Sequence, residues 1–462
     1  MIRVKMTAYV PAVAACLLAA GAPEAKPVAP VTDIAADAYV YGYPLVLMKF
    51  TREQAWAYGY QANCFHHDRE LKDADDKGVV RQNTDNLYSS AFLDLTAQPL
   101  VLHVPDTTGR YYLLQLLDAW TNTFSSPGSR TTGTAAQDFI LAGPEWRGPL
   151  PGNTPVIRSS TSLGWIIGRT EVKHYLDPAE QEAELDAVHA IQDQYTLTPL
   201  SEWRQGNPSP CLPPAPGALL AQTPLQRLQS LSAVEFLQVL SDLMQQSPAA
   251  VWDRPTLKRF EAIGFYPGRS FNPPASMQAD INAAKAVAGA RIEVQWRALA
   301  TLVNGWGMVL TEIGTFQTDY LKRAAVARHG LGANLLADAI YPTAYLDMNG
   351  VPLGVASRSY RIHFAAGQTP PVQGFWSITL YKGDYFFDNA LDRYAIHGTD
   401  PLKYNADGSL DLYVQTVAPV DPDLLANWLP APPAPFNMTL RMYWPDKTAI
   451  EGRWAPPPIE PL

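Results

Sequence analysis

The stretch VRQNTDNLYSSAFLD, residues 80–94, sets Arg81, Asn83, Asp85 and Asn86 just ahead of an alternating strand pattern. Asp85 has the chemistry of a general acid or base, Asn83 that of an orienting amide, and Arg81 that of a clamp for a carboxylate or sulfate. Tyr88 would wall such a site. The same residue types also make turns, because Asn and Asp side chains bond nearby backbone; Arg81 would then pair with Asp85. A second group lies in LLDAWTNTFSSPGSRTTG, where Asp118 ends an apolar strand and Trp120, Thr121, Asn122 and Arg130 follow. An aromatic ring beside acid, amide and guanidinium suits stacking on a sugar face. Its structural alternative pairs Asp118 with Arg130 and packs Trp120 in a sandwich. Arg169 sits among apolar neighbours in GWIIGRTEV. Facing inward it needs an anionic partner, and Asp85 or Asp118 would serve.

A third run, YKGDYFFDNALDRYAIHG (residues 381–398), gathers Asp384, Asp388, Asp392, Arg393 and His397. Two carboxylates with a histidine could bind a metal or run proton transfer, but the spacing has no His-x-His or HExxH logic and the aromatics suit ordinary core. His66 and His67 are adjacent and cannot face one way. HGLGANLL (329–336) has no preceding strand and is not a dinucleotide loop, and no G-x-S-x-G elbow occurs. No motif indicates a cofactor.

These residues need elements to position them. The 462 residues are 47% hydrophobic and 17% charged. At roughly 100–200 residues per domain, several domains are expected. The 41 prolines and 30 glycines divide apolar runs in the manner of a β-rich chain. Formal charge is −9 with no run of five basic residues, which argues against a nucleic-acid partner. MIRVK, an apolar run and Ala20-Gly21-Ala22 read as a signal peptide over residues 1–22, with cleavage near Ala22 or Ala25. The protein is therefore expected in the periplasm or secreted. Val13-Ala14-Ala15-Cys16 offers lipidation at Cys16 as the rival. No later stretch has the length of a transmembrane span. Cys64 and Cys211 remain, as one disulfide or two thiols.

Residues 33–60 read as a helix, capped by Asp33 and breaking at Pro44. Short strands then run from Tyr88 to about Val172, giving a first domain over 31–175. A helical region follows over 176–338, with a proline-rich connection at 207–217. Strands return over 339–462. The two β blocks echo each other: LVLHVP…GRYYLLQL resembles YRIHFA…GFWSITL, with His103 and His363 in matching places. DFILAGP parallels DLYVQTVAP, and IIGRTEV parallels TLRMYWP, each of this last pair with an arginine in mid-strand. Two β-sandwiches of related build are expected, and their edge strands leave a homo-oligomer open.

RQNTDNLYSSAFLDL, LLDAWTN…GSRTTG and GWIIGRT resemble the DUF1254 family. GFWSITLY, FFDNALDRYAI, LKYNADGSLDLYVQ, NWLPAPPAPFNMTLRMYWP and IEGRWAPPPIE resemble DUF1214. The resemblance implies an Ig-like N-terminal sandwich and a jelly-roll-like C-terminal sandwich with a helical domain between them, and implies no activity. Where relatives commonly read Asn-x-Asp-Thr-Leu-Tyr, this chain has Asn86 in place of the threonine. Two functional readings follow. In one, an enzyme uses Asp85 as acid or base on a small polar molecule, in a pocket at the loop ends of the N-terminal sandwich, with Arg81, Asn83 and Arg130 as positioning groups and Tyr88 and Trp120 as walls. In the other, the chain is a binding or envelope-interaction module and the same polar residues are structural.

Overall fold

The computed structural model describes residues 30–76, 81–174, 178–206, 209–211, 217–218 and 220–462. The expected signal peptide and most of the proline-rich connection lie outside the described residues. The chain is a mixed β and α multi-domain protein, with two sandwiches and a helical layer.

Helix α1 (Val31–Ala57) runs unbroken through Pro44. A proline in a helix interior forfeits one hydrogen bond and costs about 3 kcal/mol. Fifteen buried residues in α1 outweigh that penalty, since each large apolar side chain contributes roughly 1.5–3 kcal/mol. Asp33 does not cap the helix either; the N-cap is Pro30, and Asp33 pairs with Arg291 at 2.7 Å.

The first sandwich has nine strands: β1 (His66–His67), β2 (Asn86–Asp94), β3 (Leu100–Val104), β4 (Tyr112–Asp118), β5 (Thr123–Ser125), β6 (Gln137–Ala142), β7 (Val156–Arg158), β8 (Leu163–Glu171) and β9 (Thr196–Pro199). One sheet has the order β1-β2-β8-β4-β5, the other β7-β6-β3-β9. Alternating apolar residues such as Leu93, Leu102, Leu114, Phe139 and Ile166 fill the space between them. Helix α2 (Pro178–Gln192) packs Val188 against Leu87 and Val172, and α3 (Leu200–Gln205) follows β9 directly. The start of the expected helical block thus lies on the first sandwich.

Helices α4 (Pro224–Ser230), α5 (Ala233–Gln246), α6 (Arg254–Phe260), α7 (Ala275–Ala298) and α8 (Tyr320–Gly330) pack around α1. Thr223 and Ser232 begin α4 and α5 with full capping boxes. Small residues Ala284, Ala288 and Ala324 share one core with Tyr39, Tyr41 and Tyr43 of α1. The leading helix is therefore the hub of the helical layer.

The second sandwich comprises β10 (Thr301–Val303), β11 (Trp306–Met308), β12 (Ala339–Ile340), β13 (Thr343–Ala344), β14 (Tyr360–Phe364), β15 (Trp376–Lys382), β16 (Tyr385–Phe386), β17 (Ala395–His397), β18 (Leu410–Gln415), β19 (Trp428–Pro430), β20 (Asn437–Tyr443) and β21 (Ile459–Pro461). Its smaller sheet, β19-β18-β14-β21, repeats the order and directions of β7-β6-β3-β9, including the one parallel pair at the edge. The echoed histidines sit in the same register: His103 Nδ1 is 2.7 Å from Asp138 Oδ1, and His363 Nδ1 is 2.7 Å from Asp411 Oδ1. In the larger sheet, β20 and β15 stand where β8 and β4 stand in the first. Even backbone contacts recur, since the N–H of Glu171 donates to Tyr111 O (3.0 Å) and that of Tyr443 to Phe375 O (2.9 Å). The two sandwiches are copies of one plan.

Candidate functional site

Asn83 shapes the entrance to β2. Its Oδ1 accepts from the backbone N–H groups of Asp85 (2.9 Å) and Asn86 (3.2 Å), which turns the Asp85 side chain toward the second sandwich. There the carboxylate is fully buried, at 0% exposure. Tyr443 Oη donates to Oδ2 at 3.1 Å, Arg441 Nε lies 3.7 Å from Oδ2, and His397 Nε2 lies 3.3 Å from Oδ1. Oδ1 itself receives no hydrogen bond, nor does the nearby Ser377 Oγ. Burial pushes the Asp85 carboxyl up, but His397 and Arg441 override it and hold the group down at about 2.

His397 stands between two acids. Its Nδ1 is 3.4 Å from Asp400 Oδ1, and its backbone N–H donates to Asp400 Oδ2 at 2.9 Å. Burial lowers the imidazole, yet Asp400 and Asp85 together raise it to about 9. His174 stacks on it with ring centroids 3.6 Å apart, and its Nε2 donates to the Thr84 carbonyl at 2.7 Å. Burial and the charge on His397 push His174 down to about 4. One imidazole of the stack is charged at neutral pH and the other is not. Arg441 completes the cluster. It donates to Thr379 Oγ1 (2.6 Å), Tyr381 Oη (2.6 Å) and the carbonyls of Arg81 (3.0 Å) and Gln82 (3.1 Å). It thereby fastens the loop that precedes Asp85.

The other sequence candidates separate into different surroundings. Arg81 does not pair with Asp85; it lies 3.7 Å from Asp384 and donates to Asn437, Thr439 and Tyr345 of the second sandwich. Asp118 does not meet Arg130 or Arg169. Its carboxylate accepts from the N–H groups of Trp120 and Asn122 and from Ser160 Oγ, so it holds the β4–β5 turn. Trp120 fills the helical core rather than the sandwich, 5.0 Å from the Tyr41 ring and beneath Arg323. Arg130 pairs with buried Asp338 at 2.7 Å. Arg169 points inward, as its apolar neighbours require, and donates to Gln115 Oε1 (3.2 Å) and the Gly332 carbonyl (3.1 Å) above the Tyr88 ring. Of the third run, His397 belongs to the Asp85 cluster, whereas Asp392 accepts from Tyr394 and Arg393 binds the carbonyls of Leu425 and Ala426. Among the described residues no group of three or more His, Cys, Asp or Glu is arranged to hold a metal ion. Two small hollows, of about 20 and 10 Å³, lie beside α1 and beside Gly332, and neither includes Asp85.

Sequence reasoning missed Arg441, Tyr443, His174, Asp338 and Tyr341 as members of the junction. A signal was present: Asp85-Asn-Leu-Tyr88 recurs as Asp338-Ala-Ile-Tyr341. The carbonyls of the two aspartates take equivalent bonds, from Val172 (2.9 Å) and Trp444 (2.8 Å). The arginines correspond as well. Arg169 reaches Gln115 on β4 and the loop carbonyl before Asp338, while Arg441 reaches Thr379 on β15 and the loop carbonyls before Asp85. Each arginine crosses to fasten the opposite half.

Cys64 and Cys211 form a disulfide across 147 residues, with Cα atoms 5.8 Å apart. No helix among the described residues is long and apolar enough to cross a membrane.

Residues 62–199 match the DUF1254 family model and residues 338–447 the DUF1214 model, each described as a protein of unknown function. No curated protein matches the chain. Among solved structures it is similar to the VPA0106 protein from Vibrio parahaemolyticus, with 23% identity and a TM-score of 0.71 over 94% of this chain and 100% of that one. An uncharacterized protein from Burkholderia cenocepacia aligns over 93% of each chain, with 11% identity and a TM-score of 0.40. The first likeness establishes a shared fold. With the two family matches in this order and together spanning more than half of its length, the chain belongs to the two-domain DUF1254/DUF1214 family.

Proposed function

We propose that the protein is an exported, non-catalytic ligand-binding module in which the Asp85 cluster is a structural fastener between the sandwiches. The observation that carries this reading is the state of Asp85: a carboxylate at 0% exposure, flanked by Arg441 and His397. An acid or base working near neutrality needs a titrating, reachable carboxyl, whereas this one is held at about 2. The disulfide supports an oxidising compartment and hence export. The ligand-binding part rests on Arg169, a buried guanidinium served only by neutral groups beside the partly exposed Tyr88.

Replacing Asp85 tests the fastener. Asp85→Asn keeps the shape but leaves buried Arg441 without a carboxylate and His397 with Asp400 alone, a loss of about 3–5 kcal/mol. The thermal midpoint should fall by roughly 3–5 °C. A variant that melts with the wild type would return Asp85 to the catalytic candidates.

A further inference from the structure

The duplicated plan supplies each half with one Asp-x-x-Tyr and one inward arginine, and the charges are compensated unequally. Arg441 has Asp85 at 3.7 Å. The corresponding acid of the other half, Asp338, is taken by Arg130 at 2.7 Å. Arg169 is left with neutral acceptors: Gln115 Oε1 at 3.2 Å, the Gly332 carbonyl at 3.1 Å and the Ile167 carbonyl at 3.4 Å. Among the described residues no carboxylate lies within ion-pair distance of it. The Tyr88 ring, 5.4 Å away, offsets only about 2 kcal/mol of the cost of burying a cation, which is larger. Arg441 and Arg130 therefore each have an aspartate, and the positive charge of Arg169 has no counter-ion among the described residues.

The groups around Arg169 are ready to donate. Asn83 Nδ2 donates to Tyr88 Oη at 3.0 Å, and Asn334 Nδ2 donates to Tyr341 Oη at 2.7 Å. Each phenol oxygen is thus an acceptor already, and its own hydrogen has no protein acceptor among the described contacts. Arg169 is 7% exposed, and Tyr88 and Tyr341 are partly exposed.

We propose that this place between Tyr88 and Tyr341 binds a small monocarboxylate, its oxygens taking Arg169 and the two tyrosine hydroxyls. The inference rests on the ligand-binding reading and adds the ligand class and its counter-ion. A planar carboxylate matches the guanidinium fork, and its single charge equals the one uncompensated. A dianion such as phosphate would bring an excess negative charge into a buried site.

Thermal unfolding of the full chain in rising sodium acetate, with chloride holding ionic strength constant, reads the site directly. Acetate should raise the midpoint saturably, and inorganic phosphate should not. Arg169→Gln should abolish the acetate response, while Tyr88→Phe and Tyr341→Phe should each weaken it about tenfold. Acetate acting no better than chloride, or an equal response to phosphate, overturns the proposal. So does an unchanged response in Arg169→Gln. Should that variant not fold, the two tyrosine variants decide, because wild-type acetate affinity in both is equally fatal. The Asp85→Asn experiment uses no anion, so the fastener and the carboxylate site can fail separately.

Discussion

His397 is the side chain around Asp85 whose charge changes within an accessible range. Its pKa is raised from the ordinary 6.5 to about 9, so the stability it contributes is complete below pH 6.5 and is lost as pH rises toward 9. The shift corresponds to about 3 kcal/mol. Asp85, lowered to about 2, contributes above the usual carboxylate range and loses that contribution only in strong acid. His174 acts oppositely: lowered to about 4, it costs stability as pH falls below 6.5. The clean window is therefore alkaline. Between pH 6.5 and 9 the stability gap between wild type and His397→Gln should narrow by about 3 kcal/mol in denaturant unfolding; a gap that stays constant would contradict the charged imidazole. In the sequence, Asp85 and His397 were both legible as candidates, but in separate clusters. Their meeting was not legible, because His397 lies on β17 of the second sandwich and only the fold brings it to the Asn83 turn.

At the scale of elements, the loop before Asp338 holds the first sandwich through Gly332. Its carbonyl accepts from Arg169, its φ is +81°, and a Cβ there would meet Ile167 Cδ1 at 2.4 Å. Gly332→Ala should cost about 1–3 kcal/mol, from a left-handed backbone plus overpacking. Gly109, at φ +84° with nothing within 4 Å of such a Cβ, isolates the backbone part. Gly109→Ala should therefore cost visibly less in the same unfolding assay, and equal costs would refute the contact. Most strands were readable from alternation and β-branched runs, as in Leu100–Val104 and Tyr360–Phe364. Continuity of α1 through Pro44 was not, because local propensity argues for a break and only burial among the other helices decides against it. The strand β10–β11 pair, assigned by pattern to the helical block, joins the second sandwich through β13 for the same reason.

At the scale of the molecule, the disulfide closes 147 residues and ties the proline-rich connection to the edge of the first sandwich. Cross-linking so long a loop removes conformations from the unfolded chain, a stabilisation of about 2–4 kcal/mol. Cys64→Ser should lower unfolding stability by that amount, and added reductant should do the same to the wild type while leaving the variant unchanged; a wild type indifferent to reductant would disprove the bond. Cysteine count alone left the pairing open, since proximity across that separation is a property of the fold. The duplication was legible in part. The echo of His103 and His363 found the smaller sheets, because cross-strand His–Asp pairs constrain residue type. The second Asp-x-x-Tyr escaped notice, because its neighbours Ala339 and Ile340 give it none of the polarity that marks the first. The crossing arginines also make the two halves mutually dependent. Residue 441 secures the loop carbonyls at 81 and 82, and residue 169 secures the one at 332. Loss of either arginine thus loosens a loop of the opposite half, so neither half keeps its junction geometry without the other.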